Sequence, residues 1–323
     1  MLAHRAAIDA DTIPVRRTEF TWEETACPLC SRDVPELLLE AADPIPTHGE
    51  GLRFAVVRCR HCSLAYTNPR PTGETIGSFY PSDYPPHRPP GSRPRVAAPS
   101  FFWTRVFGRP CRERRGVLPG PGHRLLDFGC GSGGYLRRMA QLGWSVAGLD
   151  MAERAVAVAC DNTSCDALLG TLPHPDLPPG SFDVVTMWQS LEHVHKPLAI
   201  LREALRVLVP GGRLVLSVPN FESYSARAFG EHWIGLDLPR HLSHFTRTTL
   251  RQMLEVAGFQ VTSLRGLVHA DWLRSSARRA TAGGRGGLAA QFQCWKPLAK
   301  FVSWTSYLQG SAEALVAVAE RPL

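Results

Sequence analysis

Two stretches of the chain hold side chains at spacings that chemistry can use. In the first, Cys27 and Cys30 are followed at a distance by Cys59 and Cys62. Two C-x-x-C pairs on hairpin knuckles bring four thiolates tetrahedrally around one Zn²⁺, the arrangement of a zinc ribbon. A four-cysteine site is closed to further ligands, so the metal it implies is structural. His61 lies between two better ligands and reads as a bystander. The second stretch, from Arg124 to Asp150, reads RLLDFGCGSGGYLRRMAQLGWSVAGLD. Gly129, Gly131, Gly133 and Gly134 let the backbone approach a ligand without a Cβ in the way, and the helix behind them presents free N–H groups. Asp150 closes the strand after that helix, where a carboxylate can accept both ribose hydroxyls of a nucleoside.

The same turn also satisfies a G-x-G-x-x-G pattern, so a nicotinamide dinucleotide is a competing ligand. Asp127, two residues ahead of Gly129, weighs against it, because a dinucleotide-binding strand usually stays apolar there. Candidate bases are histidines, whose proton affinity suits neutral pH: His193, His195, His241 and His244. His193 follows Glu192, and bracing of a loop competes with catalysis as its role. His241 and His244 stand three apart, with Trp233 and Tyr224 as candidate pocket walls. A structural clamp is the competing reading for that pair, and as a metal site it lacks an obvious third ligand.

These residues must be held by elements that the periodicity places. Leu125, Leu126 and Phe128 read as a strand, the residues from Tyr135 to Leu142 as a helix, and Ser145–Asp150 as a second strand. Further on come a helix over 151–160, a strand over 167–169, a strand from Ser181 to Trp188, and a helix over 197–208. A turn and strand over 210–219, a helix over 246–257, a strand over 259–264 and a last strand over 314–319 complete the set. Strands alternating with helices in this way predict a doubly wound α/β sheet. Residues 1–20 read as a disordered leader, 21–80 as the zinc-ribbon module, and 81–115 as a proline- and arginine-rich linker or lid with a covering helix over 101–108. The remainder, 116–323, reads as the catalytic domain. The segment 266–309 carries Trp295, Phe301, Trp304 and Leu308 at helical spacing, which suits a core, a dimer interface or a membrane-surface helix.

With 323 residues and 44% hydrophobic content the chain can bury a full core. Its net charge of +7 is almost all arginine, since lysine stands only at 196, 296 and 300. No apolar window is long enough to span a bilayer, and the N-terminus is a poor signal peptide. Nine cysteines, four of them in two C-x-x-C pairs, suit a reducing compartment with a metal site, and the cytoplasm is the expected location.

Taken together, LLDFGCGSG, GLD at 148–150, SFDVV at 181–185, LEHV at 191–194 and RVLVPGG at 206–212 resemble the class I S-adenosylmethionine-dependent methyltransferases. The cysteine knuckles and PRHLSHFT at 239–246 resemble a bacterial branch of that family. The resemblance implies a seven-stranded Rossmann-like sheet with a reversed seventh strand and an added zinc ribbon. It also implies S-adenosylmethionine as cofactor. Asp127, Gly129, Gly131 and Gly133 would surround its methionine end, and Asp150 would hold its ribose. Met151 would pack on the adenine, backbone groups of Thr171 and Leu172 would meet the adenine edge, and Trp188 and Gln189 would face the sulfonium.

The leading expectation is methyl transfer to a small-molecule, sugar or secondary-metabolite acceptor, with His241, His244 and His193 as candidate catalytic residues. An RNA methyltransferase is the alternative. Clustering of Arg53, Arg58, Arg60 and Arg70 with Arg88, Arg93 and Arg95 in one basic track would favour it. A non-catalytic binding protein that keeps the fold and an NAD-dependent oxidoreductase are the remaining classes, separated by which nucleoside the protein binds.

Overall fold

Alternation of apolar strands with amphipathic helices builds the central layer. The computed structural model describes residues 20–49, 51–81, 84, 124–163, 166–287, 291–292 and 294–323. The leader over 1–20, apart from Phe20, and the linker and covering helix over 81–115, apart from Pro81 and Tyr84, lie outside the described residues.

The N-terminal part forms β1 (Trp22–Glu23), β2 (Pro35–Ala42), β3 (Arg53–Cys59), β4 (Ala65–Thr67) and β5 (Arg70–Pro71), followed by a 3₁₀ turn over Ile76–Phe79. β2, β3 and β4 pair antiparallel. The second part follows with β6 (Arg124–Phe128), α1 (Gly134–Gln141), β7 (Ser145–Asp150), α2 (Glu153–Thr163), β8 (Asp166–Leu169) and β9 (Phe182–Trp188). Then come α3 (Pro197–Val207), β10 (Leu208–Pro219), α4 (Tyr224–Phe229), β11 (Ser243–His244), α5 (Arg247–Val256) and β12 (Gln260–Leu267). The chain ends with α6 (Ala270–Ala282), α7 (Lys296–Leu308) and β13 (Ala314–Glu320).

Seven strands lie in the order β12-β13-β10-β9-β6-β7-β8. β8, β7, β6, β9 and β10 are parallel, while β13 enters antiparallel between β10 and β12. The expected doubly wound sheet with a reversed last strand is therefore present. Strands buried on both faces need continuous apolar runs, and Ala314 to Ala319 is buried throughout. Helix α3 turns Ile200, Leu201, Ala204 and Val207 onto the sheet at a 3.6-residue period. Thr246 and Thr249 bond each other's backbone N–H at the start of α5, a reciprocal cap worth about 1 kcal/mol.

Among the boundaries that differ from the sequence reading, two have a clear local cause. β10 begins at Leu208, ahead of the Pro-Gly-Gly turn, because the register shift between Leu208 and Arg213 absorbs the turn as a bulge with Gly211 at φ +74°. β12 runs on to Leu267, where pairing with Ala314 of β13 continues.

The N-terminal sheet is completed from far along the chain. β11 pairs with β4, setting Ser243 against Tyr66 and His244 against Ala65. Cys27, Leu29, Cys59, Leu64 and Tyr66 join the same buried apolar cluster as Leu126, Phe128, Phe245 and Leu250.

Candidate functional site

The four cysteines converge. Ser31 N–H bonds the Cys27 carbonyl and Ser63 N–H the Cys59 carbonyl, both at 2.9 Å, closing two equivalent knuckles with Ser31 and Ser63 at positive φ. Cys27 Sγ lies 3.4 Å from Cys62 Sγ, and Cys30 Sγ 3.6 Å from Cys59 Sγ. A disulfide needs about 2.05 Å. A tetrahedron with 2.3 Å metal–sulfur bonds needs roughly 3.8 Å between sulfurs, close to what the knuckles provide. Burial pushes the Cys62 thiol up to about 11, a cost that a dication between the sulfurs would reverse. The four residues fit one zinc ion.

The glycine turn is built against the end of β9. Gly129, Gly131 and Gly133 all adopt positive φ. A Cβ at Gly129 would stand 2.6 Å from Ser190 Cβ, so the turn and the loop after β9 can touch only with glycine there. Ser190 Oγ in turn donates to the Phe128 carbonyl at 3.0 Å. Gly133 starts α1 without a side-chain cap, leaving N–H groups of the first turn for a ligand. Asp150 ties these parts together. One carboxylate oxygen accepts the Gly131 N–H at 2.8 Å and the other the Ala152 N–H at 2.9 Å, each keeping a lone pair for a further donor.

The other predicted cofactor residues surround this turn in different ways. Asp127 is 2% exposed, set against Thr186 on the neighbouring strand, whose hydroxyl donates to it at 2.6 Å. Burial, with the Asp150 charge adding to it, pushes Asp127 up to about 7. Met151 is 69% exposed beside Asp150. Gly170 N–H bonds the Asp150 carbonyl, which brings Thr171 and Leu172 alongside; Leu172 buries its side chain and has only backbone to offer. Trp188 stands edge to face with Tyr135 of α1, ring centres 5.5 Å apart. The amide of Gln189 donates to Ser217 Oγ at 2.7 Å and is turned toward β10.

The histidines divide. His244 is 3% exposed, its Nε2 is 3.1 Å from Thr67 Oγ1, and that hydroxyl donates to the His241 carbonyl at 2.7 Å. It clamps β11 to β4, and burial pushes it down to about 3. The i, i+3 pairing with His241 is therefore not the one the fold makes. His241 instead meets His193, ring centres 4.6 Å apart and nearly perpendicular. His195 bonds the Pro71 carbonyl at 2.9 Å.

Because a carbonyl can only accept, the tautomers of the facing pair are fixed by their partners. His241 Nδ1–H donates to the Gly235 carbonyl at 2.8 Å, and His193 Nδ1–H to the Arg240 carbonyl at 3.0 Å. Each Nε2 keeps its lone pair. Burial pushes His193 down to about 3 and His241 down to about 4, so both are neutral. Glu192 completes the cluster: it is 0% exposed, neither carboxylate oxygen has a hydrogen-bond partner, and its ligating oxygen lies within 4.8 Å of those of His193 and His241. Burial raises it to about 8. Near neutral pH the Glu192 carboxyl therefore holds a proton, and the two imidazole Nε2 atoms are acceptors beside it.

Sequence reasoning missed two members of this site. Glu192 carried a local signal beside His193, but its isolation from donors is a property of the fold. Tyr80 enters after the 3₁₀ turn and sets its Oη 2.9 Å from His193 Nδ1. What brings it there is Arg240, 0% exposed, which donates to Asp43 at 2.7 Å, to Asp237 at 3.2 Å and to the Phe79 carbonyl at 2.8 Å. Asp43 ends the ribbon sheet and Arg240 precedes His241, so one buried guanidinium joins the two halves of the site.

Comparison with known proteins identifies a family. The methyltransferase-domain family matches residues 102–264. The chain is 35% identical over 170 residues to a ubiquinone biosynthesis O-methyltransferase of Xanthomonas campestris, covering 49% of this chain and 71% of that one. Its counterpart in Pseudomonas aeruginosa is 34% identical over 169 residues, covering 49% and 72%. A solved S-adenosylmethionine-dependent methyltransferase of Mesorhizobium loti superposes with a TM-score of 0.45 at 22% identity, over 63% of this chain and 94% of the other. With half the chain matched by the family and more than two thirds of each curated relative covered, the protein belongs to the class I S-adenosylmethionine-dependent methyltransferases.

Proposed function

We propose that the protein moves the methyl group of S-adenosylmethionine to a hydroxyl of a small-molecule acceptor, a sugar or a secondary metabolite, and holds a structural zinc on Cys27, Cys30, Cys59 and Cys62. The observation that carries the acceptor chemistry is the buried cluster of Glu192, His193 and His241, in which neither Glu192 oxygen has a hydrogen-bond partner, on the loop whose Ser190 packs against Gly129. An acceptor hydroxyl supplies the hydrogen bond that the ionised Glu192 lacks. As the carbon–oxygen bond forms and the carbon–sulfur bond breaks, the hydroxyl proton passes to the cluster and S-adenosylhomocysteine leaves. The imidazoles, depressed by burial, accept hydrogen bonds and orient; Glu192, raised to about 8, has the proton affinity to retain the proton near neutral pH. The curated relatives carry O-methyltransferase names, which supports an oxygen acceptor. For the cofactor, the glycine turn, Asp127 and Asp150 would take the roles expected above.

The RNA alternative loses support among the described residues. Arg70 is buried in an ion pair with Glu23 at 2.7 Å, and Arg53 faces Glu231 at 3.6 Å, so these two do not add to a basic track with Arg58 and Arg60. Arg88, Arg93 and Arg95 lie outside the described residues.

Calorimetry on the zinc-loaded protein tests the cofactor: micromolar binding of S-adenosylmethionine and S-adenosylhomocysteine, none of NAD⁺, and loss of binding in Asp150→Ala. An acceptor screen with sugars, phenolic metabolites and RNA follows. With the acceptor found, kcat rises with pH through about 8 as Glu192 ionises. Glu192→Gln lowers kcat by roughly a hundredfold or more and removes that limb, while cofactor affinity stays within about twofold. An unchanged pH profile in this variant sinks the proton-acceptor role.

A further inference from the structure

Two arginines stand beside the loop that leads into His241, and they differ in what they hold. Every nitrogen of the Arg240 guanidinium donates, to Asp43, to Asp237 and to the Phe79 and Leu238 carbonyls. Arg279 of α6 is half-buried, yet among the described residues it donates no hydrogen bond and has no carboxylate within 4 Å. The helix that carries it is fixed over the same loop. Ser276 Oγ accepts the Ile234 N–H at 3.0 Å, and Leu273, Ala277 and Ala280 share a buried apolar cluster with Trp233, Leu236 and Leu238. Arg279, three residues on from Ser276, lies on that side of the helix one turn further along. Burial pushes Arg279 down from its ordinary value; the charge of Asp237 opposes this, Arg240 adds to it, and Asp43 and Tyr84 act in the sense of Asp237. These groups are near Arg279 without touching it. Tyr84 in turn stands edge to face with Tyr80, ring centres 5.0 Å apart, and Tyr80 reaches His193.

We infer that Arg279 is the seat of an anionic group on the acceptor, a carboxylate or a phosphate. The inference rests on the reading that an acceptor hydroxyl meets Glu192, and it narrows the acceptor to hydroxyl compounds that carry negative charge. A guanidinium with its donors free matches either anion through two parallel N–H bonds. A neutral carbonyl or hydroxyl would satisfy a donor but leave the half-buried charge uncompensated. The nearby carboxylates do not close on it, since Asp43 and Asp237 are both engaged by Arg240 at 2.7 and 3.2 Å. Arg240 is thus the structural member of the pair, and Arg279 is the one left for a ligand.

The test is calorimetry of the full-length, zinc-loaded protein saturated with S-adenosylhomocysteine, titrated with inorganic phosphate and, separately, with acetate. At least one of the two binds, with a Kd of about 1 mM or tighter. Arg279→Gln weakens that binding about tenfold or more, and Arg279→Lys, which keeps the charge but not the paired donors, weakens it less. Tighter phosphate points to a phosphorylated acceptor, and tighter acetate to a carboxylated one. Both variants keep the melting temperature and the affinity for S-adenosylhomocysteine, because Arg279 bonds no other protein group. With an anionic acceptor in hand, Arg279→Gln raises KM about tenfold or more and leaves kcat within about twofold. Binding of neither anion, or equal binding in Arg279→Gln, overturns the proposal. Failure of the hydroxyl chemistry is seen separately: the kcat pH profile of Glu192→Gln then matches wild type while anion binding still depends on Arg279.

Discussion

At the scale of single residues, the site is governed by burial of groups that water would normally hold. His193, His241 and His244 are kept neutral by desolvation, and Glu192 and Asp127 are pushed toward their protonated forms. For His244 the consequence has a definite sign. Its folded value, about 3, lies below the ordinary imidazole value of about 6.5, so its contribution is fully present above pH 6.5 and is lost as pH falls toward 3. His244→Gln, which can still reach Thr67, removes that titration. The stability gap between wild type and variant is expected to narrow as the pH is lowered from 7 to 4, by at most about 1.4 kcal/mol per pH unit. Denaturant melts at several pH values measure it; a gap independent of pH would mean that His244 titrates normally. The two residue clusters were unequally legible. The glycine turn with Asp150 and the cysteine pairs declare themselves because their members sit within a few positions of one another. Glu192, His193 and His241 become one cluster only after two distant segments meet.

At the scale of elements, that meeting depends on the loop that carries Arg240. The guanidinium is fully buried among Asp43, Asp237 and the Phe79 carbonyl, and a buried pair with one partner removed leaves a charge without compensation. Asp43→Asn keeps the shape and removes the charge. We expect a loss of about 3 kcal/mol and a lowered kcat, because Tyr80 and His241 both hang from this network, with cofactor affinity unchanged. Unfolding melts and steady-state kinetics on one preparation separate these effects. Strand and helix order was readable from periodicity because the central strands are largely apolar and the helices between them are amphipathic. The pairing of β11 with β4 was not: a two-residue strand has no period to read, and its partner lies in the ribbon.

At the scale of the whole molecule, the cysteine knuckles share a buried apolar cluster with the sheet. Loss of the metal should therefore be felt beyond the knuckles. Cys59→Ser is expected to abolish stoichiometric zinc and to lower the melting temperature of the entire protein in one transition. Metal analysis and calorimetric melting check both statements. Two separate transitions, with the larger one unmoved, would show that the N-terminal part unfolds by itself.

The antiparallel join of β11 to β4 also sets a timetable for synthesis. Thr67 waits for a partner 174 residues downstream, the His241 carbonyl, and for His244 just beyond it. While the ribosome makes the intervening chain, β4 presents an open edge, the kind of surface on which nascent chains misassociate. Closing so long a loop comes late in folding, since its entropy must be overcome before the contacts return anything. The cysteine-bearing sheet, made before the strands of the larger sheet, is therefore among the last parts to be finished, and the meeting of Glu192, His193 and His241 is completed with it.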